Sequence, residues 1–246
     1  MQRYFINENL TNKNTFIFSA DDLHHLKTVM RSKKGDKIVC IDINGQMYLC
    51  KIDDIDQGII SIIEKTDENN ELDVEVTLIY ALPKGDKFEL VLQKATELGV
   101  TRIVPLLTRR CVVKSDKKKF AKKLIRYEKI LKEAAQQSRR NKIPEIINVI
   151  ELNELEEYLG RYNLVAYEEI SKAGKHKALK QFLDKLEADD KISVIVGSEG
   201  GFDQDEIEIM ESMGVTPCSL GKRILRSETA PLYLLSTIGY VREIGK

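Results

Sequence analysis

Two short segments near the end of the chain concentrate residues able to do chemistry. The first is GSEGGF, residues 197–202, which follows the apolar run ISVIV and precedes Asp203 and Glu206 at the spacing of a helix capping box. Three glycines among five residues let backbone approach a ligand closely, and the free N–H groups of the next helix face the same place. The second is SLGKRILRSETAPLY, residues 219–233, with Lys222, Arg223, Arg226 and Glu228 packed between a strand-like run and a helix-like run. A dinucleotide fingerprint is excluded, because Gly197, Gly200 and Gly201 have the wrong spacing. A phosphate loop is excluded as well, because Gly221-Lys222 is followed by Arg223 and lacks the upstream glycine. A tight structural turn is the plain alternative for the glycines taken alone.

Such loops need a frame, and the pattern of the chain supplies one. From residue 74 apolar β-branched runs alternate with helical ones: strands at VEVTLIYAL, TRIVPLL, 146–150, 164–167, 192–196 and 215–220, and helices at KGDKFELVLQKATELGV, 117–140, 152–159, 176–187, 203–212 and 229–243. This order predicts an α/β domain with a mostly parallel sheet and helices on both faces, whose ligands bind beyond the carboxyl ends of the strands. Asp86 and Glu89 have capping-box spacing, Gly99 stands at a helix C-terminus, and Thr229 is placed to cap the last helix. Residues 1–70 read differently. Short β runs, a hairpin signal at Asn44-Gly45 and a helix capped by Ser19, with Leu23, Leu26, Val29 and Met30 on one face, predict a small β-barrel module. The acidic stretch 66–73 separates it from a second domain spanning 74–246.

The net charge is zero, yet it is segregated: fifteen Lys or Arg stand against three acids in 102–142, whereas 53–75 hold nine acids and one Lys. A solvated helix face and a phosphate-binding surface both fit that basic run. No apolar run is long enough for a membrane span, and the start MQRYFINENL has no basic segment followed by an apolar stretch, so a cytoplasmic protein is expected. Cys40, Cys50, Cys111 and Cys218 are scattered singly, as expected of free thiols in a reducing compartment, and His24, His25 and His176 lack the companions of a metal site.

IVGSEGGFDQDEIE together with SLGKRILRSETAPLYLLSTIGY resembles the two C-terminal motifs of the RsmE-type branch of the SPOUT (α/β-knot) methyltransferases. QRYFI, HHLKTVMRSKKGD, LPKGDKFELVLQKATELGVTRIVPL and KILKEAAQQSRRNKIPEI are similar to family segments in the same order, so the likeness covers nearly the whole chain. Ser198 stands where the family usually has Pro. The resemblance implies a PUA-like N-terminal barrel that binds RNA, a C-terminal trefoil knot, a homodimer, and methylation of uracil N3 in small-subunit (16S) ribosomal RNA by S-adenosylmethionine. General topology rules argue against a knot, so that element rests on the resemblance alone.

The implied cofactor contacts are Gly197, Ser198, Glu199, Gly200 and Gly201 from the first loop, with Leu220, Gly221, Ile224, Leu225, Thr229 and Ala230 from the second. For uracil N3 a proton must leave while charge on the ring oxygens is stabilised, which assigns Arg226 to the charge and Glu199 or Glu228 to the proton. The alternatives are an Arg226–Glu228 pair that only shapes the loop, and a Glu199 that only holds the cofactor. Arg3, Arg31, Lys33, Lys34, Lys84, Lys94, Arg109, Arg110, Arg139 and Arg140 are the expected phosphate contacts. Two further readings are a ribose 2'-O methyltransferase of a related knotted family and a non-catalytic RNA-binding ribosome-assembly factor.

Overall fold

The structure is a computed structural model that describes residues 1–113, 116–169 and 177–245; His176 lies outside the described residues. Two compact units are present, one formed by Met1–Glu71 with Ala135–Lys142, the other by Leu72–Ala134 with Ile143–Lys246. Residues 135–142, which the strand–helix alternation assigns to the second domain, thus pack with the first unit.

In the first unit five strands, β1 (Arg3–Phe5), β2 (Thr15–Ile17), β3 (Lys37–Ile41), β4 (Met47–Asp54) and β5 (Ile59–Thr66), form one sheet in the order β1-β3-β4-β5-β2. The β1–β3 pair is parallel and the others antiparallel. Asn44-Gly45 turns β3 into β4, with Gly45 at φ 78° and the Asp42 carboxylate accepting from the N–H groups of Asn44 and Gln46. Helix α1 (Ala20–His24) is capped by Ser19, whose Oγ accepts from the Asp22 N–H. The helix then widens into a π turn, His25–Val29. This wider turn breaks the expected apolar face: Leu26 is buried, whereas Val29 and Met30 are exposed.

The second unit is built on a fully parallel sheet. Its strands are β6 (Glu75–Ala81), β7 (Arg102–Leu107), β8 (Glu145–Ile146), β9 (Ile150–Glu151), β10 (Tyr162–Ala166), β11 (Lys191–Val196) and β12 (Thr216–Cys218), in the order β12-β10-β11-β6-β7-β8 with β9 also on β7. The run 146–150 is not one strand, because Asn148 turns its side chain to the Lys117 carbonyl and to the Val149 N–H between the two short pairings. Alternation along β6 sends Val76, Leu78 and Tyr80 into one core and Ile79 into another on the opposite face.

Helix α2 (Lys87–Glu97) lays Phe88, Val91, Leu92 and Ala95 on the first core, as does α3 (Lys117–Gln137) with Phe120, Tyr127 and Leu131. The capping box expected at Asp86 and Glu89 does not form, since Glu89 accepts from Arg126 at 2.7 Å instead. Gly99 ends α2 at φ 91°, where a Cβ would meet Leu72 Cδ1 at 2.7 Å. The remaining helices among the described residues are α4 (Lys177–Leu183), α5 (Gln204–Ser212) and α6 (Thr229–Gly239), with a 3-10 turn at Leu152–Tyr158 and a π turn at Tyr240–Ile244 after α6. Asp203 and Glu206 do form their capping box. Thr229 does not cap α6: Glu228 holds the cap position without a capping bond, its carboxylate being engaged elsewhere. Because every strand runs the same way, the segments after β6, β7, β10, β11 and β12 emerge at one end of the sheet.

Candidate active site

At that end lies a cleft of about 800 Å³ within the second unit, in the size range of small-molecule sites. Both glycine-bearing loops line it, joined by residues 166–169 after β10, by Lys87 and by Arg110. The first loop folds back on itself, with the Gly201 N–H donating to the Ser198 carbonyl at 3.0 Å. That fold needs glycine. A Cβ on Gly197 would stand 3.1 Å from the Gly201 Cα, one on Gly200 would stand 2.9 Å from the Arg110 Cβ, and Gly201 has φ 65°. In the second loop Ser219 Oγ accepts from the Gly221 N–H at 3.1 Å, and Gly221 has φ 116° with open space where a side chain would project. Leu220 and Leu225 lean on the core, while Ile224 is 77% exposed at the cleft wall.

The charges of the cleft converge on one lysine. Lys87 Nζ lies 2.9 Å from Glu199 Oε1 and 3.1 Å from Glu228 Oε2. Burial opposes ionisation of Glu199, but hydrogen bonds from Lys87 and from the N–H groups of Glu199 and Lys84 outweigh it and hold the carboxyl below the usual range. Glu228 is held low chiefly by its own N–H, with Lys87 and Ser227 adding to it against partial burial. The two carboxylates push the Lys87 ammonium up, Glu199 most. Among the described residues the Arg226 guanidinium, exposed on the wall, makes no ion pair or hydrogen bond. The expected alternative of an Arg226–Glu228 pair is therefore not the arrangement found. Behind the carboxylates, the fully buried Tyr80 hydroxyl has no hydrogen-bond partner among the described residues.

Residues 70–239 match the family model of an RNA methyltransferase domain, and residues 18–65 that of an RNA methyltransferase PUA domain. A ribosomal RNA small subunit methyltransferase E of Bacillus subtilis is 41% identical, over 99% of this chain and 98% of its own length. The chain belongs to the methyltransferase E family. A Synechocystis member is 34% identical over 93% of this chain and 74% of its own length. The crystal structure of a Neisseria gonorrhoeae methyltransferase E, bound to S-adenosyl methionine, superposes with a TM-score of 0.84 at 28% identity, covering 97% of this chain and 96% of that one.

The cleft of this chain fits such a cofactor. Backbone free of side chains at Gly197, Gly201 and Gly221 admits a close ligand, and Leu220, Leu225 and the exposed Ile224 offer apolar surface for an aromatic base. Ser198, Glu199, Gly200 and Ala230 also line the wall. Thr229 and Glu228 do not, so Glu228 acts there only through Lys87.

The expected phosphate contacts divide sharply. Arg31, Lys33, Lys34 and Arg139 are exposed in the first unit, Arg31 and Arg139 on backbone of positive φ. Arg3 and Arg140 depart from the expectation. Arg3 is only 4% exposed and donates to the Arg139 carbonyl and to Glu68, both at 2.7 Å. Arg140 is only 2% exposed and ion-paired with Glu71. Both guanidinium groups are consumed by internal partners, so neither is presented to a phosphate. In the second unit Lys84 is exposed, whereas Lys94, Arg109 and Arg110 hold surface pairs with Glu97, Asp205 and Asp203 at 2.8, 2.9 and 2.6 Å, which RNA can displace at little cost. Of the two histidines among the described residues, His24 is exposed and His25 Nδ1 meets the Tyr4 hydroxyl at 3.0 Å.

Sequence reasoning missed Lys87 and Tyr80. A signal existed for the first: LPKGDKFELV begins at the end of a strand that, by the parallel rule, opens on the same side as the glycine loops.

Proposed function

We propose that this chain transfers a methyl group from S-adenosylmethionine to N3 of a uracil in small-subunit (16S) ribosomal RNA. The observation that carries the reading is the coexistence, in one cleft, of glycine backbone and apolar shelf with Arg226, unpaired among the described residues, and the ionised carboxylate of Glu199, which Lys87 links to Glu228 beyond the wall. The donor supplies a methyl on a positively charged sulfur. The protein must then position the base, remove the N3 proton and stabilise negative charge spreading to the ring oxygens. Arg226 suits the last task because none of its donors is spent on a partner among the described residues. A ribose hydroxyl develops no charge on ring oxygens, so an unpaired cation favours the base over the 2'-O reading.

N3 lies on the pairing edge, so the target uracil is unpaired or extruded when it reacts. In this reading the barrel-like first unit contributes RNA contacts through Arg31, Lys33, Lys34 and Arg139, and Lys84, Lys94, Arg109 and Arg110 contribute from the second. The enzyme works in the cytoplasm as a homodimer, with the C-terminal trefoil knot its family resemblance implies. No helix among the described residues is long and apolar enough to cross a membrane, in keeping with that setting.

Equilibrium binding of labelled S-adenosylmethionine tests the enzyme reading. Saturable binding that is lost in Gly221→Val, whose side chain would enter the cleft from a strained backbone, is expected. An absence of binding at saturating wild-type protein would leave only the assembly-factor reading.

A further inference from the structure

We propose that Lys87 is a positioning residue for the methyl transfer, its ammonium tying Glu199 and Glu228 into one anionic unit that accepts the N3 proton. The assignment rests on the function proposed above, and goes beyond it in naming what organises the proton acceptor.

Three separate elements deliver the groups: the first residue of α2, the loop after β11, and the residue before α6. Nothing in the local sequence brings them together, yet one ammonium touches both carboxylates, at 2.9 and 3.1 Å, with about a third of the lysine side chain exposed. Two carboxylates that share one ammonium repel one another, and the cation between them offsets that repulsion. With Lys87 present the trio keeps one net negative charge, enough to take up one proton.

The same pairing explains why Arg226 is unspent. Both carboxylates are engaged by Lys87, with the Lys84 N–H on Glu199 and the Ser227 hydroxyl on Glu228, so Arg226 stays available for the ring oxygens of the substrate. The remaining polar neighbours do not replace this arrangement. Tyr80 is pushed up by burial and stays neutral, Lys84 contributes only its backbone N–H, and Arg110 is held by Asp203. In the transfer itself the N3–H bond breaks and its electron pair forms the N3–methyl bond. The bond from that methyl to sulfur breaks, its electrons neutralise the sulfur, and the proton passes to the carboxylate pair.

The test is the pH profile of single-turnover methylation for wild type, Lys87→Met and Lys87→Arg, each checked for a cooperative melt. An opposite charge at this range lowers a carboxyl pKa by about one to three units. Removing it raises the acceptor's pKa, so activity is lost at a higher pH as the solution is acidified. The acid limb of Lys87→Met is expected to move up by about one unit or more, a roughly tenfold loss at the wild-type limb, with the cofactor KM little changed. Lys87→Arg should return the limb to the wild-type position. A loss equal at every pH, or a limb that Arg does not restore, overturns the proposal. If Lys87→Met does not fold, Lys87→Arg decides alone: a coincident limb supports the role and a displaced one overturns it. Failure here with wild type still producing N3-methyluridine removes only Lys87, whereas absence of that product removes the underlying reading.

Discussion

Arg226→Ala is expected to lower the rate of methyl transfer by about 10²- to 10³-fold while leaving affinity for S-adenosylmethionine nearly intact. The magnitude is that of removing one prepositioned donor from a developing oxyanion. The separation of the two quantities follows from the geometry. In the proposed reading Leu220, Leu225, Ile224 and the glycine backbone surround the cofactor, and the guanidinium stands on the wall with no partner among the described residues whose loss would disturb them. Single-turnover rates beside calorimetric cofactor titration measure both quantities. If affinity falls in step with turnover, Arg226 is a cofactor ligand and the catalytic assignment fails.

Arg140→Met is expected to cost about 3 kcal/mol of stability and not to act primarily on RNA binding. Arg140 and Glu71 are both almost fully buried, and removing one partner strands the other charge, an effect of about 3–5 kcal/mol. The low end applies because Glu71 keeps hydrogen bonds from the N–H groups of Asn141 and Lys142, at 2.8 and 3.1 Å. Lys33→Ala and Lys34→Ala should do the reverse. Both are exposed, so stability should hardly move, while each lost phosphate contact should lower the slope of log affinity against log salt by about 0.7–0.9. Chemical denaturation and salt-dependent RNA binding, run on the same variants, separate the classes. An Arg140 variant that is fully stable but weak for RNA would show that the buried pair is not what holds this residue.

The features that were legible in the sequence are those decided by neighbours a few residues away. The glycine loop 197–202, the Asp203–Glu206 capping box, the Asn44-Gly45 hairpin and the apolar strand β6 all belong to this class. The unread features are decided across long separations. Lys87 meets Glu199 over 112 residues, and Arg140 meets Glu71 over 69. A buried ion pair and an RNA-facing charge look alike in a basic run, because the sequence of Arg139 and Arg140 shows charge without showing which one finds a partner. Capping followed the same rule. Asp203 and Glu206 keep their reciprocal capping bonds while also receiving Arg110 and the Arg109 N–H, whereas Glu89 was drawn away to Arg126 and Glu228 to Lys87. The knot lies further still from local pattern, since it is a property of how the whole chain is threaded.

The most direct test of the account is to incubate the wild-type protein with S-adenosylmethionine and small-subunit RNA, digest the product to nucleosides and locate the new methyl group by mass spectrometry. The account predicts N3-methyluridine, with its yield sharply reduced for Arg226→Ala. A methyl group on ribose, or RNA unmethylated by a protein that binds the cofactor, would contradict it.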